Sequence, residues 1–150
     1  MTMIHNPASV IDALAHIELH PESHEQAVWA QRTACGTRHC LAGWICAAAG
    51  LEFRWESCNV GALAIAVLWS HPKQPPAPRS VAGAALDLLG ASTSEDRDEV
   101  YSSLFGSDLT LDDIYAAVSR LAGIGEPELR EQVADRAAEL RAAEAAEVPA

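Results

Sequence analysis

At 150 residues the chain fits one domain and is long enough to bury a core without a metal or disulfides. It is 49% apolar and 21% charged, a globular composition, and its longest apolar run, Val60 to Trp69, is too short for a bilayer, which needs about 20 residues. A net charge of −11 repels phosphate and argues against direct nucleic-acid binding, and nothing calls for a membrane.

In chain order, nearly every segment predicts a helix. Asn6 and Pro7 read as a cap followed by proline in the first turn, with Val10, Ile11, Leu14 and Ile17 on one face until Pro21. Ser23 with Gln26 has the spacing of a capping box and predicts a short helix through Trp29. Thr37 caps a predicted helix from Arg38 to Ala49, closed by Gly50. Asn59 caps another, from Val60 to Ser70, which Pro72 ends. The four prolines between His71 and Arg79 predict an extended, polyproline-like connector.

Beyond the connector the pattern repeats. Ser80 precedes a helix from Val81 to Leu89, stopped by Gly90; Ser92 or Ser94 opens one to Phe105, stopped by Gly106. Thr110 and Asp113 form a capping box for a helix ended by Gly123. Pro127 opens a last helix through Leu129, Val133, Ala137 and Leu140, fraying after Arg141. The expectation is an all-α fold: one domain over residues 1–150, a bundle of about six or seven short helices, with 1–70 and 80–147 as candidate subdomains.

The densest chemistry lies in Cys35-Gly36-Thr37-Arg38-His39-Cys40-Leu41-Ala42-Gly43-Trp44. As a structural corner, Gly36 permits a positive φ, Thr37 caps the helix, Gly43 permits close approach, and Cys40, Trp44 and Trp29 pack. As a zinc site, Cys35 and Cys40 form one pair with His39 to spare, but no second close pair exists: eleven residues separate Cys46 from Cys58. As a thiol enzyme, Cys40 near a helix start would gain acidity with His39 as its base, yet no third, orienting residue stands out.

His16, His20 and His24 recur every fourth residue but read as polar positions at a helix end, since Pro21 breaks the face they would share. No phosphate loop, nucleophile elbow or zinc-protease motif is present, so the reading leans away from an enzyme and calls for no cofactor, zinc being the alternative. Charge is uneven. Residues 1–71 carry six acids against three bases, net −3, and residues 72–150 fifteen against seven, net −8. Glu95, Asp96, Asp98, Glu99, Asp112 and Asp113 cluster at two helix starts as a candidate surface for a basic partner; a nucleic-acid mimic is the further alternative.

The motif Cys35-Gly36-Thr37-x-x-Cys40-Leu41-Ala42-Gly43-Trp44, with His20-Pro21-Glu22 and Trp29 before it, resembles a family of small uncharacterised proteins from actinobacteria and their phages. That family shares Cys-Gly-Thr-x-x-Cys-x-Ala-Gly-Trp. Ala84 to Gly90, Leu104-Phe105 and Leu109-Thr110 extend the resemblance more weakly, to about residues 10–122. It implies a phage or mobile-element setting and a helical fold organised around residues 35–44. No activity comes with it. The expected function is that of a non-enzymatic, cytoplasmic, acidic protein that modulates a host or phage protein by contact; Met1 to Pro7 lack the basic start and apolar core of a signal peptide.

Overall fold

A computed structural model describes residues 2–59, 61–71 and 74–147. Its elements run α1 (Pro7–Leu19), a 3₁₀ turn (Pro21–Ser23), β1 (Ala30–Thr33), β2 (Gly36–His39), α2 (Leu41–Ala48), β3 (Glu52–Cys58), β4 (Gly61–His71), β5 (Gln74–Arg79), α3 (Val81–Leu89), α4 (Ser94–Leu104), α5 (Leu111–Ala122) and α6 (Glu126–Glu147). The fold is α+β. The all-α expectation is overturned between Ala30 and Arg79, where five strands form one antiparallel sheet.

Glu52-Phe53-Arg54-Trp55-Glu56 alternates charges with aromatic rings, the period of a strand with one face covered, and its burial alternates in step. This strand recruits the apolar run after it, because β3 pairs with β4 from Glu52↔Leu68 to Cys58↔Gly61. The helix expected over Val60–Ser70 is therefore a strand; Val60 itself lies outside the described residues. Alanine at Ala62, Ala64 and Ala66 favours helix locally, but pairing of all three with β3, and of Ala62 with β1 as well, prevails. Gly61 fits its turn because of φ +136° and because an added Cβ would lie 1.8 Å from the Arg32 carbonyl oxygen.

β4 is central. The order is β2-β1-β4-β3, and β5 joins β4 on the edge that β1 also uses, since Val67 and Leu68 pair with both β3 and β5. The connector expected over residues 71–79 is thus mostly strand: Gln74 to Arg79 form β5, at the sheet margin where missing proline N–H donors are tolerated. Pro72 and Lys73 lie outside the described residues. The helix expected from Ser23 through Trp29 does not form: residues 24–29 run as turns and bends, with an isolated bridge from His24 to His39, between the 3₁₀ turn and β1. The helix expected from Arg38 begins at Leu41 because Thr37 to His39 belong to β2.

The helices of the second half stand where their caps place them. The Ser80 hydroxyl accepts from the Gly83 N–H at 3.0 Å, and Gly90 ends α3 at φ 76°. Thr93, between the two serines expected to cap α4, accepts from the Asp96 N–H at 3.0 Å. Thr110 and Asp113 close the capping box of α5. At α1, Asn6 occupies the cap position without capping; its amide instead donates to the Leu88 carbonyl at 2.8 Å. One hydrophobic cluster runs from Ile4 to Ala137, drawing on both sides of the β4–β5 hairpin. It is mainly helix on helix, with α1 against α6 and α2, and α2 against α3, while the sheet adds Val67 and the flanks of Phe53 and Trp69.

Candidate functional site

The segment from Cys35 to Trp44 makes a turn, a strand and a helix entry in ten residues. Cys35 lies exposed in the β1–β2 turn, its N–H donating to the Thr33 hydroxyl at 3.2 Å; Gly36 follows at φ +121°. Thr37 is exposed on β2. The residue that caps α2 is Cys40: its Sγ accepts from the Gly43 N–H at 3.4 Å, and its S–H donates to the Trp29 carbonyl at 3.7 Å. Gly43 sits hard against the same carbonyl, so close that an added Cβ would lie 1.8 Å from the oxygen. Trp29 therefore anchors the corner through its backbone, while its ring meets Phe105 edge-on at 6.5 Å.

Burial sets the chemistry of the thiols. It pushes Cys40 up to about 11 and Cys46, which donates to the Val81 carbonyl at 3.6 Å, up to about 12. Held so far above neutrality, both thiols keep their protons at neutral pH and pack as buried groups. His39, 8% exposed, tilts against Trp44 at 4.7 Å and Phe53 at 5.4 Å. Burial lowers its pKa to about 4, and its Nδ1 is buried without a hydrogen-bond partner. Its contacts are aromatic rings, with no thiolate or carboxylate among its hydrogen bonds in the described residues.

The structure does not bring the candidate zinc ligands together, since Cys35 is exposed in a turn while Cys40 is buried at the foot of α2. Among the described residues no group of three or more His, Cys, Asp or Glu side chains is placed to hold a metal ion. His16, His20 and His24 separate as well. His16 stacks on Trp44 at 5.0 Å, His20 meets Glu144 at 2.9 Å, and His24 donates to the Gln26 side-chain oxygen at 2.9 Å.

Gln26 is the residue that sequence reasoning misassigned. It is buried, accepting from the Leu41 N–H at 3.2 Å and donating to the Leu104 carbonyl at 2.9 Å, so it ties the start of α2 to the end of α4. A Ser-x-x-Gln spacing predicts a cap; a buried glutamine bridging two helix ends leaves no comparable mark in one sequence.

Beside this junction lies an apolar groove of about 490 Å³, lined by Gln26, Trp29, Leu63, Tyr101 and Phe105. Leu63 is 37% exposed and Tyr101 45%. Asp98 and Tyr101 on α4 and Phe105 at its C-cap follow one another at helical spacing. The acids named from the sequence divide by environment. Glu99 pairs with Arg120 at 3.0 Å, Asp112 with Arg130 at 3.1 Å, and Asp113 is held by the Thr110 backbone N–H, which lowers its pKa. Glu95, Asp96 and Asp98 make no ion pair among the described residues, and Glu95 and Asp98 are exposed.

Among the described residues no helix is long and apolar enough to cross a membrane. No protein-family model, curated protein or solved structure matches the chain.

Proposed function

We propose that the protein is a non-catalytic binding module that takes a basic, amphipathic segment of another protein into the groove between Trp29, Leu63, Tyr101 and Phe105. The observation that carries this reading is the groove's chemistry: an apolar floor with half-exposed Leu63 and Tyr101, continued along α4 by the exposed acids Asp98 and Glu95, which make no ion pair among the described residues. Scattered apolar residues on a surface need no explanation, but a concave apolar patch with a polar rim is the usual form of a recognition site. The net charge of −8 over residues 72–150 would steer a basic partner toward it. An accessory protein of a phage or mobile element, as the resemblance of the Cys-Gly-Thr-x-x-Cys-x-Ala-Gly-Trp motif implies, would use such a groove to modulate a host or phage protein.

Panning a displayed peptide library against the protein tests the reading. Enriched peptides are expected to combine apolar anchors with Lys or Arg, to lose affinity for a Tyr101→Asp variant that melts like the parent, and to weaken as salt rises. Enrichment without basic residues, or binding indifferent to Tyr101→Asp, would overturn it.

A further inference from the structure

The outer edge of β3 ends the sheet: β3 pairs with β4 on one side, and no strand among the described residues pairs with the other. Natural sheets usually blunt such an edge with proline, a bulge, a very short strand or charged side chains. The other margins follow that rule, since β2 has four residues and β5 carries three prolines. β3 has only charge, Glu52, Arg54 and Glu56, and of both signs. It has seven residues, no proline and no glycine, and the register skip beside Arg54 and Trp55 leaves Ile65 of β4, not a β3 residue, as the extra one.

Its charges are also complementary to themselves. Two copies that join edge to edge about a two-fold axis normal to the sheet must oppose residues symmetrically about one central residue. Centred on Trp55, the midpoint of Glu52–Cys58, all seven residues find partners. Arg54 then faces Glu56 of the second copy, twice over by symmetry, Phe53 faces Ser57, and Trp55 faces its own equivalent. Centring on Arg54 sets Arg54 against itself and Glu52 against Glu56, and centring on Glu56 sets that carboxylate against itself. Centring on Phe53 avoids like charges but carries Trp55 to Cys58 past the partner strand. The aromatic side is already ordered for such a contact: the Arg32 guanidinium lies 4.1 Å from the Trp55 ring, and Phe53 packs on Trp55 at 5.6 Å.

We propose that β3 is a self-association edge, through which two copies of the chain pair antiparallel about Trp55 and merge their sheets into one. The assignment is independent of the groove, which β3 does not line.

Sedimentation velocity on charge variants tests it. The parent is expected to dimerise; Arg54→Glu and Glu56→Arg, each placing two like-charged pairs across the edge, should raise the dimer Kd about tenfold or more, and the R54E/E56R double variant should restore it. All three replace exposed side chains, and circular dichroism confirms that they fold. Register is read separately. Glu52→Cys opposes Cys58 of the second copy, so oxidised glutathione should yield a covalent dimer whose linked peptides map to positions 52 and 58. A parent that stays monomeric, single variants without effect, a double variant that fails to restore the dimer, or a cross-link mapping elsewhere each overturns the assignment.

Discussion

Gly43 and Trp29 meet backbone to backbone: a Cβ on Gly43 would lie 1.8 Å from the Trp29 carbonyl oxygen and 3.1 Å from the His39 Cβ. That carbonyl also receives the Cys40 N–H at 3.3 Å and the Cys40 thiol, so it cannot retreat without breaking the entry to α2. Gly43→Ala would gain about 1 kcal/mol of helix propensity in an open helix. Here overpacking prevails, and a net loss of about 1–3 kcal/mol is expected. A lower urea midpoint with an unchanged m-value is the readout; a stabilised variant would mean that the corner yields.

Replacing Gln26 by Leu removes one buried side chain and strands two backbone groups, the Leu41 N–H and the Leu104 carbonyl. Each stranded group costs about 1–3 kcal/mol, so the variant should lose about 2–6 kcal/mol, a large share of the stability of a typical domain. Thermal unfolding measures it. Gln26→Glu should also destabilise, because a carboxylate can accept from Leu41 but cannot donate to Leu104.

The helices of the second half were legible from their punctuation, as was α1 between Pro7 and Leu19, and the sheet between Ala30 and Arg79 was not. Ser80, Thr110, Asp113, Gly90 and Gly123 stand where capping chemistry puts them, because a cap is a local contract between neighbours in sequence. The sheet obeys no such local rule. Ala62, Ala64 and Ala66 adopt strand because β3 pairs with β4 across that stretch and β1 joins at Ala62 and Leu63. The visible clue was the alternation Glu52-Phe53-Arg54-Trp55-Glu56, outweighed by the alanine-rich helix signal around it. Likewise Cys40, Gly43, Trp44 and Trp29 were legible as a packed corner, while the cap passed from Thr37 to Cys40 because pairing with β1 holds Thr37 in a strand.

The four cysteines should separate cleanly by reactivity. Cys35 and Cys58 are exposed, and Cys40 and Cys46 are buried with their thiols pushed to about 11 and 12. A maleimide at neutral pH is expected to add twice to the folded protein and four times in denaturant, as read by intact mass. Rapid labelling of Cys40 in the native state would show that the α2 entry opens far more often than its burial implies.

His39 should make the fold acid-sensitive in a window set by its two states. Unfolded, it titrates near the ordinary value of 6.5; folded, burial lowers it to about 4. Above 6.5 neither state binds the proton and the neutral side chain packs at full stability. As pH falls below 6.5 the unfolded chain takes up a proton that the folded chain refuses, so stability declines by about 1.4 kcal/mol per pH unit toward pH 4, where the loss levels off. His16, stacked on Trp44, is also lowered by burial and acts in the same direction. His20, raised by its hydrogen bond to Glu144, opposes them, but it is an exposed pair and its share is small. His39→Phe keeps an aromatic ring against Trp44 and Phe53 and removes a buried Nδ1 that has no hydrogen-bond partner among the described residues. Urea unfolding from about pH 7 to about pH 4.5 should show the parent losing stability steeply and His39→Phe losing much less. Parallel slopes for the two proteins would place the acid sensitivity elsewhere.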